Sequence, residues 1–216
     1  QTQIFRQRKR FDVIGNWGKH RTLNFIKILI PMSRIKLFLQ IFFLSICNLI
    51  SSQNINSIEV SSDNSIELHR KSFYDSLPKP NNWTNDYENL FSDEEETKLN
   101  KIIDDFEKET SIEIAIVTID SFKVSKENFD MLSLHIANTW GVGKKDKSNG
   151  ILIAISKDHR KIRIQNGDGI VQIISDEETS MIIQNHIIPF FKKEDYFEGT
   201  LSGLMNIINL LRTKQK

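Results

Sequence analysis

The sequence predicts an α/β domain with a small mixed β-sheet, in which a parallel β-α-β unit is followed by an antiparallel hairpin and helices cover both faces. Three observations lead to this fold class. Two isoleucine-rich segments, 111–120 and 150–156, have the composition of buried strands. A segment with helical spacing lies between them, which makes the two strands parallel. Only four residues, 157–160, separate the second strand from a third, so those two strands are antiparallel.

The first helix is predicted to begin after Ser92, because Ser92 and Glu95 have the spacing of a capping box. Apolar residues then recur at helical spacing, at Leu99, Ile102, Ile103 and Phe106. The strand at 111–120 follows, and a second helix is expected from Ser125 to Trp140. The strand at 150–156 and the strand at 161–165 complete the predicted sheet.

Two further helices are predicted in the C-terminal part of the chain. The first is expected to be capped by Asp176 and stopped by Pro189. The second follows Asp195 and has an amphipathic stripe formed by Phe197, Leu201, Leu204, Ile208 and Leu211. No apolar segment after Gly203 is long enough for a membrane span, so no C-terminal membrane anchor is expected.

The N-terminal quarter of the sequence resembles a leader rather than part of a domain. Residues 1–31 are basic and without a globular pattern, and we interpret them as an upstream, non-native extension before a start at Met32. Residues 32–52 are predicted to be a signal peptide, because basic residues precede the apolar segment 37–50 and Ser52 precedes a cleavage position before Gln53. Residues 53–76, rich in serine, asparagine and charge, are predicted to be a flexible spacer. The domain is expected at 77–212.

These features predict an exported protein, either periplasmic or secreted. A lipoprotein attached through Cys47 is the less favoured alternative, because Ile46 is bulky where a lipobox has a small residue. Nine of the 29 basic residues but only one of the 28 acidic residues precede Gln53, so the remaining chain has a net charge of about −7. Nucleic acid is therefore excluded as the main partner, because it attracts a positive surface.

Glycine-rich turns flank the two central strands. The segment 140–169 contains Trp140-Gly-x-Gly, then Asn149-Gly150, then Arg160-Lys-x-Arg-Ile, and finally Gly167-x-Gly169. In this order, and together with the segments 80–86, 90–92 and 189–191, Asp176, Asp195-Tyr196 and Gly199, these motifs resemble the TPM domain family from about residue 77 to residue 211. The resemblance implies an extracytoplasmic module that binds calcium or another divalent cation at acidic loops and interacts with an envelope or membrane protein.

Four residues are the predicted metal ligands: Asp86, Asp120, Asn149 and Asp176. Each lies at the boundary of a predicted element, and oxygen ligands on irregular backbone suit calcium better than zinc. Local structural roles are the alternatives, with Asp176 as a helix cap, Asp86 in an Asx-turn and Asn149 in a turn beside glycine. The sequence also departs from the family pattern, because Ser148 and the pair Ile170-Val171 replace two expected acidic positions; Asp146 and Asp168 lie nearby as substitutes.

A weak, metal-dependent acid phosphatase is the alternative function, as some members of the resembled family suggest. Lys144, Arg160 and Arg163 would supply positive charge, and Gly167 to Gly169 would form an anion nest. Catalytic residues remain unassigned, because the predicted domain contains no cysteine, no GxSxG elbow and no HExxH motif. The pair Phe190-Phe191 is a candidate partner surface if it is exposed.

Overall fold

The computed structural model describes residues 55–215 of the 216-residue chain, with side chains from residue 63 onward. The predicted extension at 1–31 and signal peptide at 32–52 lie outside the described residues. From His69 onward the described chain belongs to one compact unit, and the helical residues before His69 belong to another. Among the described residues, no helix has both the length and the apolar character that a membrane span requires.

The sheet has four strands: β1 (Thr84–Asp86), β2 (Glu113–Thr118), β3 (Gly150–Ser156) and β4 (Lys161–Asn166). They lie side by side in chain order. β1 and β3 are both parallel to β2, and β4 is antiparallel to β3, so the predicted mixed sheet is confirmed. β1 was not predicted, because its three residues, Thr-Asn-Asp, are polar and too few to show an alternating pattern.

The described helices are α1 (Ile55–Asp75), α2 (Asp93–Thr110), α3 (Phe129–Trp140), α4 (Asp168–Val171), α5 (Asp176–Ile182), α6 (Ile188–Phe191) and α7 (Tyr196–Lys214). A π-helical turn, Ile183–Ile187, joins α5 to α6. The capping box that starts α2 is present, with the Ser92 and Glu95 side chains each bonded to the other's backbone N–H.

The sheet is covered by helices on both faces, as the sequence predicts. Alternate residues of a strand point to opposite faces. On one face, Ile114, Ile116 and Ile153 pack in a large cluster with side chains of α2 and of the C-terminal helices. On the other face, Ala115, Val117, Leu152 and Ala154 pack with α3. Because both faces are buried, β2 and β3 are almost continuously apolar.

The segment predicted at 53–76 to be a flexible spacer is instead helical over Ile55–Asp75, the residues of α1. Near the C-terminal end of this helix, the Phe73 ring lies edge-on to Tyr87, with centroids 6.0 Å apart, and Tyr74 stacks on His135 at 4.0 Å. Arg70 donates a hydrogen bond from Nη2 to the carbonyl oxygen of Ser121 (2.8 Å). The polar composition of the segment hid these two adjacent aromatic residues, which supply the apolar area that the last turns need to pack on the domain.

The helix predicted between Asp176 and Pro189 has different ends in the structure. Ser175, not Asp176, caps α5: its Oγ accepts a hydrogen bond from the Glu178 N–H (3.2 Å), and the Glu178 carboxylate accepts one from the Ser175 N–H (2.9 Å). Asp176 is the first residue inside the helix. Pro189 does not stop the helix but lies in the first turn of α6, where its missing N–H costs little. The predicted start of the last helix after Asp195 is confirmed.

Candidate functional site

The three parallel strands end together at one side of the sheet, which we call the carboxyl edge. Asp86 at the end of β1 pairs with Thr118 at the end of β2, and Thr118 pairs with Ile155 near the end of β3. Open α/β sheets usually bind ligands just outside the carboxyl ends of their strands. Three acidic residues of the connecting segments lie along this edge, and we call Glu88, Asp120 and Asp158 the carboxyl-edge acids.

Glu88 has the most strongly shifted pKa of the carboxyl-edge acids. Its Oε2 accepts a hydrogen bond from the Lys157 N–H (2.9 Å), and its Oε1 accepts one from the Asp158 N–H (3.2 Å). Burial raises the pKa of Glu88 to about 7, and the negative charges of Asp158 and Asp120 also raise it, whereas the two N–H bonds lower it. Glu88 therefore keeps its proton up to about neutral pH.

Asp158 and Asp120 are held by the segment that follows β2. Asp158 Oδ2 accepts hydrogen bonds from the Ser121 N–H (3.0 Å) and the Ser121 hydroxyl (2.7 Å), which lower the pKa of Asp158. Asp120 accepts the Phe122 N–H (2.9 Å) and forms an ion pair with Lys123. In the described part of the chain, neither Glu88 nor Asp158 has an ion-pair partner. Lys123 thus pairs with Asp120, whereas backbone and hydroxyl donors hold Glu88 and Asp158.

Two of the four predicted metal ligands, Asp86 and Asp120, lie at the carboxyl edge. The Asp86 carboxylate accepts hydrogen bonds from the Glu88 N–H (3.2 Å), the Phe91 N–H (2.8 Å) and the Thr118 hydroxyl. These bonds hold the turn that leads from β1 into α2. Asp86 thus has the local role that its alternative interpretation predicts.

The other two predicted ligands lie toward the opposite side, the amino edge. Asn149 immediately precedes β3, and its side chain accepts a hydrogen bond from the Lys144 N–H (2.8 Å) and donates one to the Ser111 carbonyl oxygen (2.7 Å). Asp176 starts a helix whose Thr179 accepts a hydrogen bond from Asn166 (2.9 Å) at the end of β4. The six residues of β2 separate the edges by about 16 Å. The four residues therefore do not surround one position.

The glycine motifs form close contacts between backbone segments at the amino edge. A Cβ added at Gly150 would lie 2.0 Å from the Val142 carbonyl oxygen, and one at Gly169 would lie 2.1 Å from that of Lys147. The Gly167 N–H donates to the Gly150 oxygen (2.9 Å), and the Gly169 N–H donates to the Ser148 oxygen (3.0 Å). Because both N–H groups are already bonded, the predicted anion nest is not formed.

The positive charges proposed for phosphate binding are dispersed. Lys144 Nζ lies 2.7 Å from Glu113 and 3.0 Å from Glu107, so it is compensated at the amino edge. Arg163 lies within β4 opposite Ala154, and Arg160 lies in the turn between β3 and β4. These three cations do not form one phosphate-binding group.

The pair Phe190-Phe191 is not an exposed surface. Phe191 is fully buried, and Phe190 is partly buried, because Gly199 of α7 packs directly against both. Glu88 is absent from the predicted site residues, and Asp158 is predicted only as part of the turn at 157–160. The available signal for Glu88 is its position two residues after Asp86, the last residue of β1. That strand was not predicted, because its three residues are polar.

Known proteins with a similar sequence or structure support the same fold. The family model described as the TPM domain matches residues 84–210. A solution structure of the N-terminal domain of a protein from P. gingivalis is 27% identical, with a TM-score of 0.56, covering 62% of this chain and 84% of that one. The BA42 protein of the psychrophilic bacterium Bizionia argentinensis is 23% identical, with a TM-score of 0.52, covering 59% and 86%, and shares the fold. No curated protein matches the chain.

Proposed function

This chain belongs to the TPM domain family, and on that premise we propose that it is an exported accessory or interaction module of the cell envelope that binds a divalent cation, calcium. The cation is assigned to the carboxyl-edge acids rather than to the four ligands that the sequence suggested. An envelope or membrane protein is the proposed partner of the module.

The observation that carries the cation proposal is the environment of Glu88. Its carboxyl group is mostly buried, lies close to Asp120 and Asp158, and has a pKa raised to about 7. A bound cation would favour the charged form of Glu88 and relieve the repulsion among the three carboxylates. Carboxylate oxygens are also the donors that a hard cation such as calcium prefers.

The same geometry limits the affinity. Within the described residues, no three acidic, histidine or cysteine side chains already form a group that could hold a metal ion. The carboxylate oxygens of Glu88 and Asp158 accept hydrogen bonds from backbone N–H groups, so a cation must compete with these hydrogen bonds. We therefore expect weak binding, with a Kd of about 10⁻⁴–10⁻³ M, as in extracellular calcium modules.

The test is a calorimetric calcium titration of the full chain near pH 7 in two buffers of different ionisation enthalpy. Binding should release protons, because a cation at the carboxyl-edge acids lowers the pKa of Glu88. Glu88→Gln should abolish proton release and weaken binding, whereas Asp105→Asn, the same charge change on the exposed side of α2, should change neither. Equal calcium binding by the two variants would refute the assignment.

The phosphatase alternative stays a separate prediction. It requires hydrolysis of a phosphomonoester that depends on the bound cation and disappears on chelation. A p-nitrophenyl phosphate assay with and without calcium measures this directly. Activity that survives chelation and the Glu88→Gln substitution would exclude a metal-activated water at the carboxyl edge.

A further inference from the structure

A pocket of about 270 Å³ opens beside β2 near the amino edge of the sheet. Its lining includes Trp83, Glu113, Ala115, Trp140 and Val142. Glu113 and Ala115 are two positions apart on β2, so their side chains point to the same face of the sheet. None of the carboxyl-edge acids lines this pocket, so a ligand bound here does not require a cation at that edge.

The pocket exists because β1 is short. β1 begins at Thr84, opposite Ile116, so the preceding β2 residues, Glu113–Ala115, have no β1 partner on that side. The chain before β1 forms local bonds instead: the Asn81 N–H donates to Asn85 Oδ1 (2.9 Å), and the Trp83 N–H donates to Asn82 Oδ1 (2.8 Å). The small side chain of Ala115 leaves the floor of the gap open.

Two tryptophans line this gap: Trp140 packs with the cluster on the Ala115 face, and Trp83 packs against the cluster on the other face. Trp83 and Trp140 are both partly buried, and the Trp140 indole N–H donates to the Pro78 carbonyl oxygen (2.8 Å), which fixes that ring. Indole is the best aromatic partner for a cation. Within the described chain, every cation that lies over a ring lies over phenylalanine or tyrosine, so neither indole has such a partner.

The charge around the pocket favours a cationic ligand. Lys144 Nζ bridges Glu107 (3.0 Å) and Glu113 (2.7 Å), so two carboxylates share one ammonium group. The three groups together keep one net negative charge, and Glu113 lines the pocket itself. An anionic ligand would meet this charge, whereas a cation would be attracted to it.

The size of the pocket selects a side chain rather than a large molecule. Pockets for drug-sized ligands measure about 300–1,000 Å³, so 270 Å³ suits one long side chain.

Because the adjoining β2 residues lack a neighbouring strand, an extended segment could align its main chain with them. We propose that the pocket binds an arginine side chain of an extended segment of a partner protein. A guanidinium group both stacks on indole and pairs with carboxylate, which an ammonium group does less well.

The test is an NMR titration of the full chain with an acetylated, amidated Val-Arg-Val tripeptide. The matched probe replaces arginine with citrulline, which keeps the shape but removes the charge. We expect the arginine peptide to shift the indole N–H signals of Trp83 and Trp140, and the citrulline peptide to bind at least about threefold more weakly. Glu113→Gln should weaken arginine binding by a similar factor, whereas Glu109→Gln, a carboxylate on α2 that pairs with Arg212, should not.

Either of two results would overturn the proposal: equal binding of the two peptides, or equal effects of Glu113→Gln and Glu109→Gln. Because Glu113 also accepts the Gly143 N–H (2.7 Å), its substitution could disturb the fold. Trp83→Phe provides the independent variant, since it retains an aromatic ring of weaker cation affinity. Arginine binding that is unchanged in a folded Trp83→Phe protein would equally contradict the assignment.

Discussion

The Glu88 carboxylate accepts a hydrogen bond from the Lys157 N–H (2.9 Å) across 69 positions of sequence. The bond joins the segment after β1 to the turn between β3 and β4, which lies beyond β2 at the same edge. An ionisable side chain thus joins two loops of the same edge that lie far apart in the sequence. Its protonation state should affect both the stability of the fold and the binding properties of this edge.

Stability should fall between about pH 4.5 and pH 7 because of Glu88. The pKa is about 7 in the folded protein and near 4.5 in the unfolded chain, so the folded state binds more protons in this interval. The stabilising proton is fully bound below pH 4.5 and is lost as the pH rises through 7. We expect Glu88→Gln to reduce this fall by roughly 1–2 kcal/mol, less than the full shift implies because Glu88 is partly solvated.

Urea unfolding at pH 5 and pH 7.5 measures the difference for the native chain and for Glu88→Gln. Asp105→Asn serves as the control, because Asp105 is exposed on α2. An identical pH dependence in the Glu88→Gln and native proteins would show that Glu88 titrates normally.

Gly150→Ala should destabilise the domain strongly. The new Cβ would lie 2.0 Å from the Val142 carbonyl oxygen, and that atom belongs to backbone that must move. We expect a loss of about 3 kcal/mol or more. Gly141→Ala is the informative comparison: Gly141 has a positive φ of 68°, unlike Gly150, and no atom lies within 4 Å of the added Cβ. Its cost should be only about 1–2 kcal/mol, from the left-handed backbone alone.

Chemical denaturation of the two glycine variants gives both free energies of unfolding. If Gly150→Ala cost no more than Gly141→Ala, the close approach of the Val142 carbonyl oxygen would not be what requires glycine at position 150.

Tyr74→Ala should show that the end of α1 belongs to the domain. Tyr74 stacks on His135 with ring centroids 4.0 Å apart and an interplanar angle of 13°. Loss of the ring should lower the free energy of unfolding by about 1–3 kcal/mol. Lys71→Ala on the same helix should change it little, because the Lys71–Asp75 pair is exposed. Thermal melts compare the two variants, and equal melting temperatures would restore the interpretation of this segment as a spacer.

Ser175→Ala should destabilise α5 by about 1 kcal/mol through loss of its capping box. Glu177→Gln, an exposed position in the same turn, should have a smaller effect. Hydrogen exchange of the first α5 amides reports the loss locally. Unchanged protection of those amides in Ser175→Ala would show that the cap does not hold the helix start.

Expression from Met32 in an exporting host should yield a chain that begins at or near Gln53. The basic, apolar and small-residue segments follow the order that signal peptidase recognises. Mass spectrometry of the exported protein identifies its first residue. A chain that stays in the cytoplasm with residues 32–52 intact would contradict the predicted signal peptide.

The sequence by itself determined the main elements of this domain. β2, β3 and β4, the α2 capping box and the amphipathic α7 all carry periodic or local signals within a few residues. The parallel and antiparallel pairings also followed from connection lengths. β1 carried no such signal, because a three-residue polar strand is stabilised by its neighbour β2 rather than by its own composition.

Only the tertiary structure decided which acidic residues meet. Sequence position placed Asp86, Asp120, Asn149 and Asp176 at element ends but could not tell which edge of the sheet each end occupies. Strand direction and register put Glu88 beside Asp158, 70 positions away, and left Asn149 at the opposite edge. The physical reason is that side-chain contacts depend on the pairing of all four strands, whereas periodicity reports only the face that each strand buries.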